Sequence, residues 1–96
     1  MAIRLTQKEI QVISDAVYGF DKNAIIYLFG SRTDESKKGG DIDLLVLSGK
    51  INYGERRKIM VELIKKLGDR KIDLIVSDNP HKNIFTQFAY KHGVKL

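Results

Sequence analysis

The stretch Gly39–Val46 has the sequence GGDIDLLV, in which a glycine pair precedes two aspartates and an apolar run. Ile42–Leu47 is predicted to be a buried strand. Alternate side chains of a strand share a face, so Asp41 and Asp43 are expected to point the same way at its head. Aspartate is disfavoured inside strands, and two of them on one apolar strand therefore indicate a functional reason.

The segments on either side predict two further strands. Ala24–Phe29 is an apolar run closed by Gly30, and Ile72–Val76 is a third apolar run. Asp73 stands at the start of this third run and repeats the unusual placement of an acid. If the second and third strands are neighbours, three carboxylates converge within a few ångströms.

Three longer helices are predicted around these strands. Thr6 and Glu9 have the spacing of a capping box and predict the start of the first helix. The second helix is expected to run from a cap at Asn52 to Leu67, and Gly68 supplies its end. The residues of the second helix that are expected to face the core are Ile59, Leu63, Ile64 and Leu67.

Asn79 and Pro80 predict the start of the third helix, because proline suits the first helical position after a cap residue. Phe85 and Phe88 are expected to lie in the core, with base stacking as the alternative, and residues 94–96 are expected to add an edge strand. With a brief helical turn within residues 31–40, the order of elements predicts one α/β or α+β domain over residues 1–96. Its sheet is expected to be small, mixed and flanked by helices.

Composition narrows the functional class. The chain has no cysteine, which excludes disulfides and thiolate metal sites. No window approaches the roughly 18 apolar residues of a membrane span, and nothing resembles a secretory leader, so a cytoplasmic location without a membrane partner is expected. The net charge is +5, but the basic residues, Arg56 and Arg57 among them, alternate with acids or lie on predicted outer helix faces. This pattern favours a solvated basic surface over a nucleic-acid interface.

Three close carboxylates repel one another and favour binding of hard cations. Mg²⁺ binds one or two carboxylates together with substrate phosphates. Two such ions about 4 Å apart activate an attacking oxygen and stabilise a leaving pyrophosphate. In this hypothesis Asp41 and Asp43 bind metal and triphosphate, while Asp73 helps to hold the catalytic metal and takes the proton from the attacking hydroxyl.

Gly30 and Ser31 would supply the phosphate-binding half of the site. A glycine at a strand end lets the backbone approach a ligand, and Ser31 begins a predicted helical turn whose free amides and hydroxyl suit a phosphate. Arg32 has two interpretations that the sequence leaves open. It either adds positive charge beside the phosphate or pairs at the surface with Asp34 or Glu35.

Gly-Ser at positions 30–31, Asp-x-Asp at 41–43 and a later strand with Asp73 resemble the DNA polymerase β-like nucleotidyltransferase superfamily. Within the superfamily the chain looks like the minimal nucleotidyltransferases of prokaryotes, which are often encoded beside a small helical HEPN protein as a toxin–antitoxin pair. The resemblance implies ATP as donor, two Mg²⁺ ions as cofactor, and binding of the triphosphate. By position it assigns Gly30 and Ser31 to the triphosphate and Asp41, Asp43 and Asp73 to the metals. The expected nucleotide-binding set also includes Arg32 and Gly40. One departure leaves the shape of the phosphate loop open, since many relatives carry a second glycine where this chain has residues 33–36.

The leading functional hypothesis is an adenylyltransferase that moves AMP from ATP to a hydroxyl, with a tyrosine of a partner HEPN toxin as the acceptor implied by the resemblance. A chain of this size without an acceptor domain is expected to borrow the acceptor surface from a partner, and a homodimer is also expected. Two alternatives remain. The chain either neutralises its toxin by binding alone or binds nucleic acid, and the latter is ranked last because no groove-reading motif is visible.

Overall fold

The computed structural model describes residues 5–29, 42–68 and 71–96. The elements in chain order are α1 (Gln7–Tyr18), β1 (Ile25–Phe29), β2 (Ile42–Leu47), α2 (Tyr53–Leu67), β3 (Ile72–Ser77), α3 (Ile84–His92) and β4 (Val94–Lys95). The helical turn predicted within residues 31–40 lies outside the described residues. None of the helices in the described ranges is long and apolar enough to cross a membrane.

The four described strands form one sheet in the order β3-β2-β1-β4. Strand β2 is antiparallel to β1 and parallel to β3, and β4 is antiparallel to β1. The expected small α+β fold with a mixed sheet is therefore confirmed, as are the three predicted apolar strands and the edge strand near residue 95. The two inner strands, β1 and β2, carry the most deeply buried side chains of the sheet.

Side chains alternate along each strand, so the sheet presents two faces. Helices cover these two faces unequally. On one face, Ile42, Leu44 and Val46 of β2 are fully buried in a core to which α1 and α2 both contribute. On the opposite face, Leu45 packs with Phe29 and with Ala89 of α3 in a smaller cluster. Helix α3 contacts β1 and β2, so it covers the β1 side of this second face.

The start of α3 differs from the sequence prediction. The helix begins at Ile84 and is capped by Asn83, whose Oδ1 accepts a hydrogen bond from the backbone N–H of Thr86 at 2.8 Å. The Oδ1 of Asn79 instead accepts from the backbone N–H of His81 at 2.8 Å. This bond to the residue two positions later closes a local turn. The prediction that Asn79 and Pro80 start the helix was wrong, because the turn uses the Asn79 side chain that would have capped it.

The inward face of α2 also differs at one position. Ile59 and Leu63 are fully buried, as expected, whereas Ile64 is 50% exposed. Successive residues of a helix are about 100° apart around its axis, and Leu63 takes the position that points at the sheet. Met60, three residues before Leu63, packs against the core instead.

A buried hydrogen bond ties the chain after α1 to the chain after β2. The Oγ–H of Ser48 donates to Oδ2 of Asp21 at 2.6 Å, and both residues are buried. This bond, together with the backbone N–H of Asn23, lowers the pKa of Asp21 below its usual value. The pair fixes the exit of β2, at the opposite end of that strand from Asp43.

The close approach of α3 to β1 requires glycine at position 93. A Cβ at Gly93 would lie 2.5 Å from the carbonyl oxygen of Ala89 and 3.1 Å from that of Leu28. We therefore expect Gly93→Ala to lower the free energy of unfolding by about 1–3 kcal/mol, as measured by urea denaturation. Gly49→Ala is the matched control, because no atom lies within 4 Å of its added Cβ. Equal losses of stability in both variants would contradict this explanation.

Candidate functional site

Two of the three singled-out carboxylates are brought together by strand pairing. Asp43 is the register partner of Asp73 in the parallel pair β2–β3, and of Phe29 in the antiparallel pair β1–β2. Paired residues of adjacent strands, about 4.8 Å apart, present their side chains on the same face. Asp73 is exposed and Asp43 is half-buried. The condition set from the sequence, that the second and third strands are neighbours, is thus met.

The backbone beneath this pair is held by buried neighbours on the opposite face. Ile42 and Leu44 flank Asp43, Ile72 and Leu74 flank Asp73, and all four side chains belong to the main core. The register is fixed at its first residue, where the backbone N–H of Ile42 donates to the carbonyl of Lys71 at 2.8 Å. The two carboxylates therefore lie at the start of adjacent strands, and the side chains on the opposite face of these strands are buried in the main core.

A cleft of about 380 Å³ opens over the two carboxylates. Its lining combines apolar side chains with acids and one base, and consists of Phe29, Asp43, Arg56, Asp73, Leu74 and Ile75. Such a mixture suits a ligand with an apolar or aromatic part and a charged part. The carboxylate oxygens can accept cations or hydrogen-bond donors, whereas the guanidinium can take only an acceptor or an anion.

Arg56 is the residue of this cleft that the sequence did not identify. It was placed among the outer basic residues of α2, but the structure shows it half-buried against β3. Its Nε–H and Nη2–H donate to the carbonyl oxygen of Leu74 at 3.0 and 2.8 Å. Its spacing from Ile59 and Leu63, which places it on the inward face of α2, is the sequence signal that could have found it.

A model of the family described as polymerase beta, nucleotidyltransferase, matches residues 11–96, which is most of the chain. The protein belongs to this nucleotidyltransferase family. No curated protein matches the chain at a significant level. Membership supports nucleotidyl transfer as the general activity and a nucleoside triphosphate as the substrate, since the family uses such triphosphates with divalent metal ions.

The paired carboxylates of this nucleotidyltransferase fit the metal that its family uses. Asp43 and Asp73 offer oxygen ligands side by side on one face of the sheet, in a cleft open to solvent, and hard cations such as Mg²⁺ prefer this donor type. Within the described residues, no group of three or more acidic, histidine or cysteine side chains could hold a metal. The predicted third ligand, Asp41, lies outside those residues.

The predicted phosphate-binding residues also lie outside the described ranges. They are Gly30, Ser31, Arg32 and Gly40. The described residues next to them in the chain are Phe29, which ends β1, and Ile42, which begins β2. Both lie at the end of the sheet where Asp43 and Asp73 meet. The assignment of these residues to the nucleotide remains a prediction.

The tyrosines nearest the second face serve packing. The rings of Tyr27 and Tyr90 meet edge to face with centroids 5.4 Å apart. Burial, with a smaller contribution from Tyr90, raises the pKa of Tyr27 above its usual value, so its hydroxyl stays protonated at neutral pH. Its ring contact with Tyr90 and its packing against the smaller cluster assign Tyr27 to the scaffold.

Proposed function

We propose that this nucleotidyltransferase transfers AMP from ATP to a hydroxyl group, and that the acceptor is a tyrosine of a helical HEPN-type partner protein. The pairing of Asp43 with Asp73 at the floor of one cleft is the observation that carries the donor half of the proposal. Family membership supports the nucleoside triphosphate. The choice of ATP and of the acceptor comes from the resemblance to minimal nucleotidyltransferases.

In the proposed reaction, the acceptor oxygen attacks the α-phosphorus of ATP. A new oxygen–phosphorus bond forms while the bond between the α-phosphorus and the bridging oxygen to the β-phosphate breaks, and pyrophosphate leaves with that electron pair. The proton of the acceptor hydroxyl passes to the carboxylate of Asp73. Divalent ions, when bound, would offset the negative charge of the triphosphate and of the leaving pyrophosphate.

The different exposure of the two carboxylates supports different roles for them. Asp43 lies on the inner strand β2 and is half-buried, a position suited to holding metal and triphosphate, with Asp41 as its proposed companion. Asp73 lies on the edge strand β3 and is exposed to solvent. A bulky acceptor such as a protein side chain can reach Asp73 from outside, which suits a group that receives the acceptor's proton.

Intact-mass spectrometry tests the proposal directly. The purified protein is incubated with Mg-ATP and a HEPN-type helical protein, and this partner is expected to gain the mass of an AMP group on a tyrosine. Asp43→Asn should leave the partner's mass unchanged. If the wild-type protein adds no AMP, while a variant lacking all three aspartates still neutralises the partner in cells, the adenylylation proposal fails and the chain acts as a binding antitoxin.

A further inference from the structure

We propose that Arg56 is a phosphate-binding residue of the nucleotide site, anchored on β3 so that its guanidinium faces the triphosphate. This inference rests on the proposed function, because it assigns a further contact to the same cleft. Arg56 lines the same cleft as Asp43 and Asp73.

The anchoring of Arg56 leaves part of its guanidinium available. A guanidinium has five N–H groups in a planar fork, and two of them are used on the carbonyl oxygen of Leu74. Among the described residues, the Arg56 side chain makes no other hydrogen bond, and no ion pair joins it to Asp73. Three N–H donors of this positively charged group therefore remain for an acceptor within the cleft.

A pre-positioned guanidinium suits a phosphate better than a freely moving one. The two bonds to Leu74 restrain the side chain before any ligand arrives, which reduces the conformational entropy lost on binding. Arginine also recognises phosphate oxygens through paired N–H groups. In a cleft that holds two carboxylates, this cation would attract the anionic part of the nucleotide to a defined side.

A purely structural role for Arg56 makes a different prediction. The bonds to Leu74 also cover an outward-facing carbonyl of the edge strand, and they join α2 to β3. If that were its whole role, replacing Arg56 would lower stability but would weaken all ligands equally. A phosphate-binding role predicts a loss that depends on whether the ligand carries phosphates.

The test compares Mg-ATP with adenosine by NMR titration of Arg56→Met, Arg56→Lys and Arg57→Met. Arg57 is the matched control, since it is the next residue of the same helix and is exposed. We expect Arg56→Met to raise the Kd of Mg-ATP by about 10- to 100-fold, the loss of one to two charge-assisted hydrogen bonds. Its Kd for adenosine should stay close to that of wild type. Arg56→Lys should recover part of the ATP affinity, and Arg57→Met should bind both ligands as wild type does.

Mg-ATP binding by wild type, Asp43→Asn and Arg56→Met separates the role of Arg56 from the proposed function. If wild type binds Mg-ATP and Asp43→Asn does not, but Arg56→Met matches wild type or weakens ATP and adenosine by the same factor, Arg56 is structural and the inference is wrong. If wild-type protein binds no Mg-ATP at all, the proposed function is overturned and the inference with it.

Discussion

Asp43→Asn is expected to lower kcat/KM for nucleotide transfer on the order of 10²- to 10³-fold, the loss typical when one pre-organised electrostatic group is removed. The asparagine has nearly the same shape but no charge, so it would bind a divalent cation poorly. The side chain is half-buried beside the exposed Asp73, and the neutral replacement relieves rather than adds charge repulsion. The fold should therefore persist while activity is lost, as shown by steady-state kinetics beside thermal denaturation.

Asp78→Asn is the matched control for the loss of activity. Asp78 is an exposed aspartate that follows the other end of β3, so its replacement changes the net charge equally without touching the pair. Its kcat/KM should equal that of wild type. Asp73→Asn should resemble Asp43→Asn in activity. Full activity in either pair variant would show that the carboxylates at the head of β2 and β3 do not serve the reaction.

Leu63→Ala is expected to lower the free energy of unfolding by about 2–5 kcal/mol, whereas Ile64→Ala should cost much less. Leu63 is fully buried between α2 and the sheet, so its truncation leaves a cavity. Ile64, the next residue, is half exposed and removes little buried surface when truncated. The two variants differ by one position on one helix. Their free energies of unfolding, measured by urea denaturation, test which of the two residues α2 turns toward the core.

The opposite order of stability would contradict this rotation. A larger loss in Ile64→Ala than in Leu63→Ala would mean that α2 turns Ile64 toward the core, as its apolar side chain predicts. The same rotation would remove Arg56 from the cleft, because Arg56 precedes Leu63 by two turns of the helix. The stability measurement therefore also checks the placement on which the proposed role of Arg56 depends.

The sequence predicted the strands and the meeting of Asp43 with Asp73 because both follow from local rules. Each strand is an apolar run with a turn signal beside it, and Asp43 and Asp73 each occupy the second position of such a run. Once β2 and β3 are parallel neighbours, their register places the acids opposite each other. The adjacency itself was an assumption at the sequence level, since many strand orders satisfy the same pattern.

The features missed by the sequence depend on tertiary packing. Phe88 was expected in the core but is 55% exposed, because Thr86 and Ala89 fill the sheet-facing side of α3. Small residues there let α3 approach β1 closely, and the larger ring is left outside. Arg56 was missed because a charge on a helix is ordinarily solvated. Only the outward carbonyl of Leu74, which comes from the strand order, explains why a guanidinium turns inward.

Paramagnetic NMR with Mn²⁺ and ATP tests the central claim most directly. Substoichiometric Mn²⁺ added to ¹⁵N-labelled protein with ATP should broaden the amide signals of Asp43 and Asp73 first. The signal of Asp78, about 16 Å further along β3 at the usual strand rise, should persist and serves as the internal reference. Selective broadening near Asp78, or none at Asp43 and Asp73 under conditions where ATP is bound, would contradict a metal–nucleotide site at this pair.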